Sequence, residues 1–183
     1  MPHPLRQVHR LEAGKLVIRP VVPDQDAVPL LAIQREVLTE GRYFITEADE
    51  LVESPELKAV TLQQLLDLDN SCCFVAVLNK EVVGMVLIQG GVLRRMRHSG
   101  KLEIFLAADA RGHGVGTRLI AAALEWAEAC RSLSKVGLTV FAHNERAQAL
   151  YRSHGFVEEG RRVAEYCLSD GTEWDDVLMA RRV

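Results

Sequence analysis

Between Arg111 and Thr117 the chain reads Arg-Gly-His-Gly-Val-Gly-Thr. Glycines on alternate positions, Gly112, Gly114 and Gly116, let successive backbone N–H groups turn toward one point. An apolar periodicity follows at once, with Leu119, Ile120, Ala123, Leu124 and Ala127 on one helical face, so the positive end of a helix dipole is aimed at the same point. A β-rich run, Leu102 to Ala107, precedes the loop. Strand, glycine loop and helix in that order can receive a pyrophosphate. The Walker form is excluded, because Thr117 follows Gly116 with no lysine between them. The dinucleotide form is excluded as well: its last glycine is missing, with Thr117 in its place counted from Gly112 and Leu119 counted from Gly114. Taken alone, the loop is equally well read as a tight strand-to-helix turn.

A second group of residues lies downstream. Asn144 can cap a short helix, and Asn144, Ala147 and Tyr151 at i, i+3 and i+7 share one stripe, which sets a phenol beside a small residue. Such a tyrosine either looks into a cleft or packs half-buried with its hydroxyl on a carbonyl. Glu103 is a carboxylate on the strand before the loop, where alternation puts it with Phe105 and opposite Leu102, Ile104 and Leu106. Which face meets a ligand is left open by the pattern. His98 and His113 are rival proton acceptors, His113 reading as solvent-facing near a phosphate and His98 as the start of the same strand. The run Arg94-Arg95-Met96-Arg97-His98 suits capture of a carboxylate or a solvated loop.

These residues need a scaffold. Leu16–Arg19 reads as a strand that hands over, through Pro20 and Pro23, to a helix capped near Asp24 and ending by Gly41. Ser54 and Pro55 open a second helix to about Asp69. Cys72–Leu78 and Val82–Gln89 form a hairpin across Asn79-Lys80-Glu81. The helix after the glycine loop is followed by a strand, Val136–Phe141, and by the short helix that stops before Gly155. Two more strands flank Ser169-Asp170-Gly171. The reading is an α/β chain of about seven strands and four helices, one domain over residues 1–183, with residues 1–14 as a flexible extension.

Composition agrees. The chain has 183 residues, 48% apolar and 26% charged, enough for one compact core. A net charge of −3 offers no global attraction to nucleic acid or to an anionic membrane. No apolar run is long enough to span a bilayer, and the N-terminus has no secretory apolar segment, so a cytoplasmic protein is expected. Cys72, Cys73, Cys130 and Cys167 show no metal or disulfide spacing and read as reduced thiols; no metal is called for.

Arg111-x-x-Gly114-x-Gly116 resembles the acetyl-CoA signature Q/R-x-x-G-x-G/A of the GNAT N-acetyltransferases. Leu106-Ala107-Ala108-Asp109-Ala110 resembles the strand exit into that loop, with Ala108 where proline is frequent. Asn144-x-x-Ala147-x-x-Leu150-Tyr151 and Gly155-Phe156 match the second hallmark, N-x-x-A-x-x-L-Y followed by G-F. The tail Asp170-Gly171-x-x-x-Asp175-x-x-x-Met179 is similar to bacterial members that acetylate small amines or amino acids.

The resemblance implies a single-domain, mixed and mostly antiparallel twisted sheet whose fourth and fifth strands splay around the pantetheine arm of acetyl-CoA. It implies direct attack by an amine in a ternary complex without metal. Ile104, Phe105 and Leu106 would supply a backbone N–H to the acetyl oxygen, and Tyr151 would protonate the CoA sulfur. Arg111 and the amides of Gly112, His113, Gly114, Val115, Gly116 and Thr117 would hold the pyrophosphate, with Asn144 and Ala147 along the pantetheine. Glu103 becomes the candidate base. Glu36, Tyr43, Phe44, Glu47 and His98 become candidate acceptor contacts, the acidic ones doubling as a solvated face. The expected activity is N-acetylation of a small amine or amino acid, possible homodimerisation included. The alternatives are a protein acetyltransferase, acting on an N-terminus or lysine, and a non-catalytic acyl-CoA sensor; retention of both Asn144 and Tyr151 speaks against the sensor.

Overall fold

The computed structural model describes residues 6–183. Among them, one eight-stranded sheet runs in the order β1-β2-β3-β4-β5-β6-β8-β7. The strands are β1 (Gln7–Leu11), β2 (Gly14–Pro20), β3 (Cys72–Leu78), β4 (Glu81–Gly90), β5 (Ser99–Leu106), β6 (Lys135–Phe141), β7 (Val157–Cys167) and β8 (Glu173–Arg182). The helices are α1 (Pro23–Thr39), α2 (Pro55–Leu66), α3 (Val115–Ala129) and α4 (Glu145–Ser153). The eighth strand comes from the stretch expected to be a flexible extension. Residues 1–5 of that stretch lie outside the described residues, but β1 pairs with β2 from Gln7↔Ile18 to Leu11↔Gly14, so Gln7–Leu11 belong to the sheet.

In β3, Cys72 through Ala76 are buried without alternation, which requires cover on both faces. The packing supplies it: α1 and α2 pack together against β3–β5, and α3 packs against β2–β5. The expected caps are present at α2, where Ser54 accepts from Leu57 N, and at α4, where Asn144 accepts from Ala147 N. At α1 the reading differs. The N-cap is Val22, and Asp26 rather than Asp24 reaches back to its N–H at 2.7 Å while also taking the Arg19 fork, which makes burial of the carboxylate tolerable. No helix among the described residues is long and apolar enough to cross a membrane.

The feature that matters most for chemistry is the join between the two halves of the sheet. β5 and β6 run parallel and pair only at Ser99↔Lys135, Gly100↔Val136 and Lys101↔Gly137. Beyond that point β5 stays on β4 as far as Leu106, and β6 stays on β8 as far as Phe141. Each half keeps its own antiparallel ladder and the shared one is abandoned, opening a wedge. These are the strands read as fourth and fifth in a seven-strand count.

Candidate active site

The wedge is a cleft of about 690 Å³. Its polar chemistry begins with the edge of β5. Ala107 N donates to Val83 O at 2.9 Å, so alternation turns the N–H and C=O groups of Leu102, Ile104 and Leu106 away from β4 and toward the gap. Past the last pair, Lys101↔Gly137, no strand partners the N–H and C=O of Ile104 or the N–H of Leu106, while the Leu106 C=O accepts from Arg111; an acyl or amide ligand lying in the wedge could meet the rest.

The glycine loop closes one end. Gly112 and Gly114 have φ of +87° and +79°, and Gly114 is the N-cap residue of α3. A Cβ at Gly114 would meet no protein atom within 4 Å, so that face of the loop is open to a ligand. A Cβ at Gly116 would stand 3.4 Å from both Leu106 Cδ1 and Leu150 Cδ2, which sets how closely α3 approaches the cleft wall. Gly112, Gly114, Gly116 and Thr117 line the cleft, whereas Val115 turns into the core and exposed His113 does not reach the cleft wall. The loop, the free N–H groups of the first α3 turn and the unpaired β5 edge fit a pyrophosphate followed by an amide-bearing arm.

α4 supplies the facing wall. Asn144, Ala147 and Tyr151 all line the cleft. Tyr151 stands edge-on to Phe156 with centroids 5.9 Å apart, and burial pushes its phenol up to about 12. Across the pH range of ordinary enzymes the phenol therefore keeps its proton.

The sequence left the face of β5 undecided, and packing decides it. Phe105 stacks edge-on against Phe44 at 6.3 Å, so Lys101, Glu103 and Phe105 look toward the connection that follows α1. Glu103 lines the cleft with Lys101, whose Nζ is 2.9 Å from Oε1. Tyr43 and Phe44 line it too.

Other expected contacts lie elsewhere. The Glu36 carboxylate accepts from Ala108 N at 3.2 Å, at the strand exit, and is not on the cleft wall. His98 sits where β5 and β6 are still paired, its carbonyl accepting from Ser134 N and Lys135 N, at the closed end of the wedge. In the neighbouring basic run, Arg97 is engaged by Asp69 at 2.6 Å. Glu47 is also off the wall. Arg111 lines the cleft, but its guanidinium is held by Glu40 and by Leu106 O, so its charge is already matched.

Residues not singled out from sequence complete the site. Arg146, in the first turn of α4, lies over the glycine loop, its Nη2 3.5 Å from where a Cβ on Gly112 would stand. On the opposite wall Asp176 is 1% exposed, pairs in register with Phe141 on β6 and with Arg162 on β7, and forms an ion pair with Arg162. Tyr166 OH donates to it at 3.4 Å, and the Tyr166 phenol is shifted upward by burial and by the Asp176 charge. In the tail motif it is Asp176 that faces the cleft. Asp175 instead pairs with Arg161 and accepts from Ala164 N, a difference of one residue that strand alternation turns into a difference of face. An Asn two residues before Arg146, at the helix cap, was the available sequence signal for Arg146. For Asp176 there was none short of the register.

The model of the acetyltransferase (GNAT) family matches residues 38–156. A spermidine N(1)-acetyltransferase of Vibrio cholerae is 34% identical over 91 residues, 49% of this chain and 51% of that protein. An L-amino acid N-acetyltransferase of Escherichia coli is 31% identical over 109 residues, 58% of this chain and 65% of that protein. The chain thus spans about half to two thirds of the length of these curated relatives. Among solved structures, an acetyltransferase of the GNAT family from Streptococcus pneumoniae superposes with a TM-score of 0.87 at 32% identity, covering 92% of this chain and 99% of that one.

Proposed function

The chain belongs to the GNAT acetyltransferase family, and on that premise we propose that it transfers the acetyl group of acetyl-CoA to the primary amine of a small molecule or amino acid, by direct attack in a ternary complex. The observation that carries the reading is the convergence, in one wedge, of an open glycine loop at the α3 N-terminus, an unpaired β5 edge and the buried phenol of Tyr151. Relatives that act on spermidine and on amino acids make a small amine the favoured acceptor class.

Acetyl-CoA supplies the acetyl group as an activated thioester. The amides of residues 112–117 hold its pyrophosphate at the positive end of α3. The N–H groups of Ile104 and Leu106, turned to the gap and already ordered by the sheet, donate to the acyl oxygen as its charge grows; such preorganised donors cost no reorganisation during reaction. Asn144 and Ala147 shape the channel for the pantetheine arm, alanine leaving the room a larger side chain would fill. Tyr151 gives its proton to the sulfur as the C–S bond breaks, and the second proton that the nitrogen sheds on becoming an amide restores the phenol. Glu103, on the acceptor side of β5, takes the proton that the arriving ammonium must lose before the amine can attack, directly or through water. Tyr43 and Phe44 form the acceptor wall above it.

The test is a thiol-release assay with acetyl-CoA against separate pools of amines, amino acids and peptides. Release dependent on a small amine or amino acid is expected. Release only with peptides would transfer the assignment to a protein acceptor, and tight acetyl-CoA binding with no acceptor-dependent release would make the chain an acyl-CoA sensor.

A further inference from the structure

Two arginines reach the glycine loop, and their surroundings give them different work. The guanidinium of Arg111 has four of its five N–H groups engaged. Nη1 donates to Glu40 Oε2 at 2.7 Å and Nη2 to Glu40 Oε1 at 2.5 Å, while Nε and Nη2 donate to Leu106 O at 3.1 and 2.9 Å. Its central carbon lies 5.0 Å from the centre of the Tyr43 ring. Glu40 is the residue that closes α1, so the fork ties the end of that helix to the exit of β5. One turn earlier, Glu36 ties the same helix end to Ala108 N. Tyr43 lies on the guanidinium and Phe44 on Phe105, so the wall expected to face the acceptor hangs from Arg111 and from β5.

For Arg111 to turn its fork on a phosphate, with more than the one remaining Nη1 N–H, it would have to release a bidentate, charge-assisted pair and leave a carboxylate without its donors. Arg146 has no such commitment. It is exposed, it lies over Gly112, and none of the ion pairs among the described residues uses it. Meeting an anion would cost Arg146 hydration and side-chain freedom, but no ion pair.

We propose that the Arg111 side chain is a positioning residue for the acceptor wall, holding Tyr43 and Phe44 in place through Glu40, and that the side-chain cation meeting the pyrophosphate is Arg146. The proposal rests on the acetyl-CoA reading above. It moves the Arg111 side chain away from the phosphate role that the glycine-loop signature implies: the loop's backbone and Arg146 serve the donor, while Arg111 serves the acceptor.

The experiment compares Arg111→Gln, Glu40→Gln and Arg146→Ala with two donors, acetyl-CoA and acetyl-pantetheine, the second lacking the pyrophosphate. CoA dissociation constants are measured separately at low and high salt. Arg146→Ala should weaken CoA binding by about tenfold, reduce its salt dependence, and leave acetyl-pantetheine kinetics unchanged. Arg111→Gln and Glu40→Gln should raise the acceptor KM by about tenfold with either donor and change CoA affinity by less than about threefold. Glu40→Gln makes the same prediction without altering the loop, so it decides the matter if Arg111→Gln fails to fold. A larger loss of CoA affinity in Arg111→Gln than in Arg146→Ala, or an Arg111→Gln defect confined to acetyl-CoA, overturns the proposal. A wild-type protein that binds CoA and acetylates no amine defeats the acetyl-transfer reading and, with it, the acceptor role of Arg111; the assignment of the phosphate to Arg146 is then still decided by the CoA-binding measurements.

Discussion

Lys101 and Glu103 stand two residues apart on β5, on one face, with Nζ 2.9 Å from Oε1 at the rim of the wedge. Both side chains are substantially exposed, 60% and 44%, and pairs of this kind contribute about 0–1 kcal/mol. The carboxylate can therefore exchange its lysine partner for an incoming ammonium at little cost. That exchange is what a base at this position would need, since the acceptor arrives charged and must leave its proton behind.

The first prediction concerns that pair. Glu103→Gln should lower turnover and erase or move the rising limb of the pH–rate profile, measured with two acceptors whose amine pKa values differ. A limb that tracks the acceptor in wild type and persists in the variant would mean that solvent or another group takes the proton. His98, at the closed end of the wedge, is not placed to be that group.

Tyr151→Phe keeps the ring that packs on Phe156 and removes only the hydroxyl proposed to protonate the sulfur. Turnover should fall by about one to three orders of magnitude with CoA affinity nearly unchanged. An effect on the Michaelis constant for acetyl-CoA alone would make Tyr151 a binding residue.

The same tyrosine has a thermodynamic signature. Its phenol is raised by burial from 10.0 to about 12 in the folded protein, so between those values the unfolded chain ionises first and binds fewer protons than the native one. Stability contributed by the neutral buried phenol is fully present below pH 10 and is lost as pH rises toward 12. Urea unfolding at pH 9 and pH 11 should therefore show a larger alkaline loss in wild type than in Tyr151→Phe, by about 1 kcal/mol. Equal losses would show that the phenol is not desolvated.

Gly114→Asp should abolish CoA binding in a folded protein. The φ of +79° disfavours a side chain, and the added carboxylate would project into the open face where a phosphate belongs. Gly116→Ala tests a different contact, because its methyl would press on Leu106 and Leu150 at 3.4 Å, and a milder loss of affinity is expected. Retained CoA affinity in folded Gly114→Asp, measured by calorimetry, would remove the loop from the site.

What local sequence determines in this protein is whatever depends on a few adjacent residues. The glycine loop at the start of α3, the Asn144 cap with Tyr151 two turns on, the Ser54-Pro55 helix start and the hairpins are each a matter of backbone conformation and short-range hydrogen bonding, and composition and spacing suffice to read them. The edge strand β1 escaped because five residues with mixed exposure carry little apolar periodicity, and only pairing with β2 makes them a strand. The face of Glu103, the reach of Arg146 over Gly112, the exclusion of Glu36 and His98 from the wedge, and the choice of Asp176 over Asp175 were decided by tertiary structure. Each depends on where a strand separates from its neighbour or on which residue stands opposite another. Arg111 belongs to both groups: its place in the signature is written locally, but Glu40, which claims its charge, is 71 positions away in the chain. Long-range partners of that kind are chosen by packing, and only the folded chain brings them together.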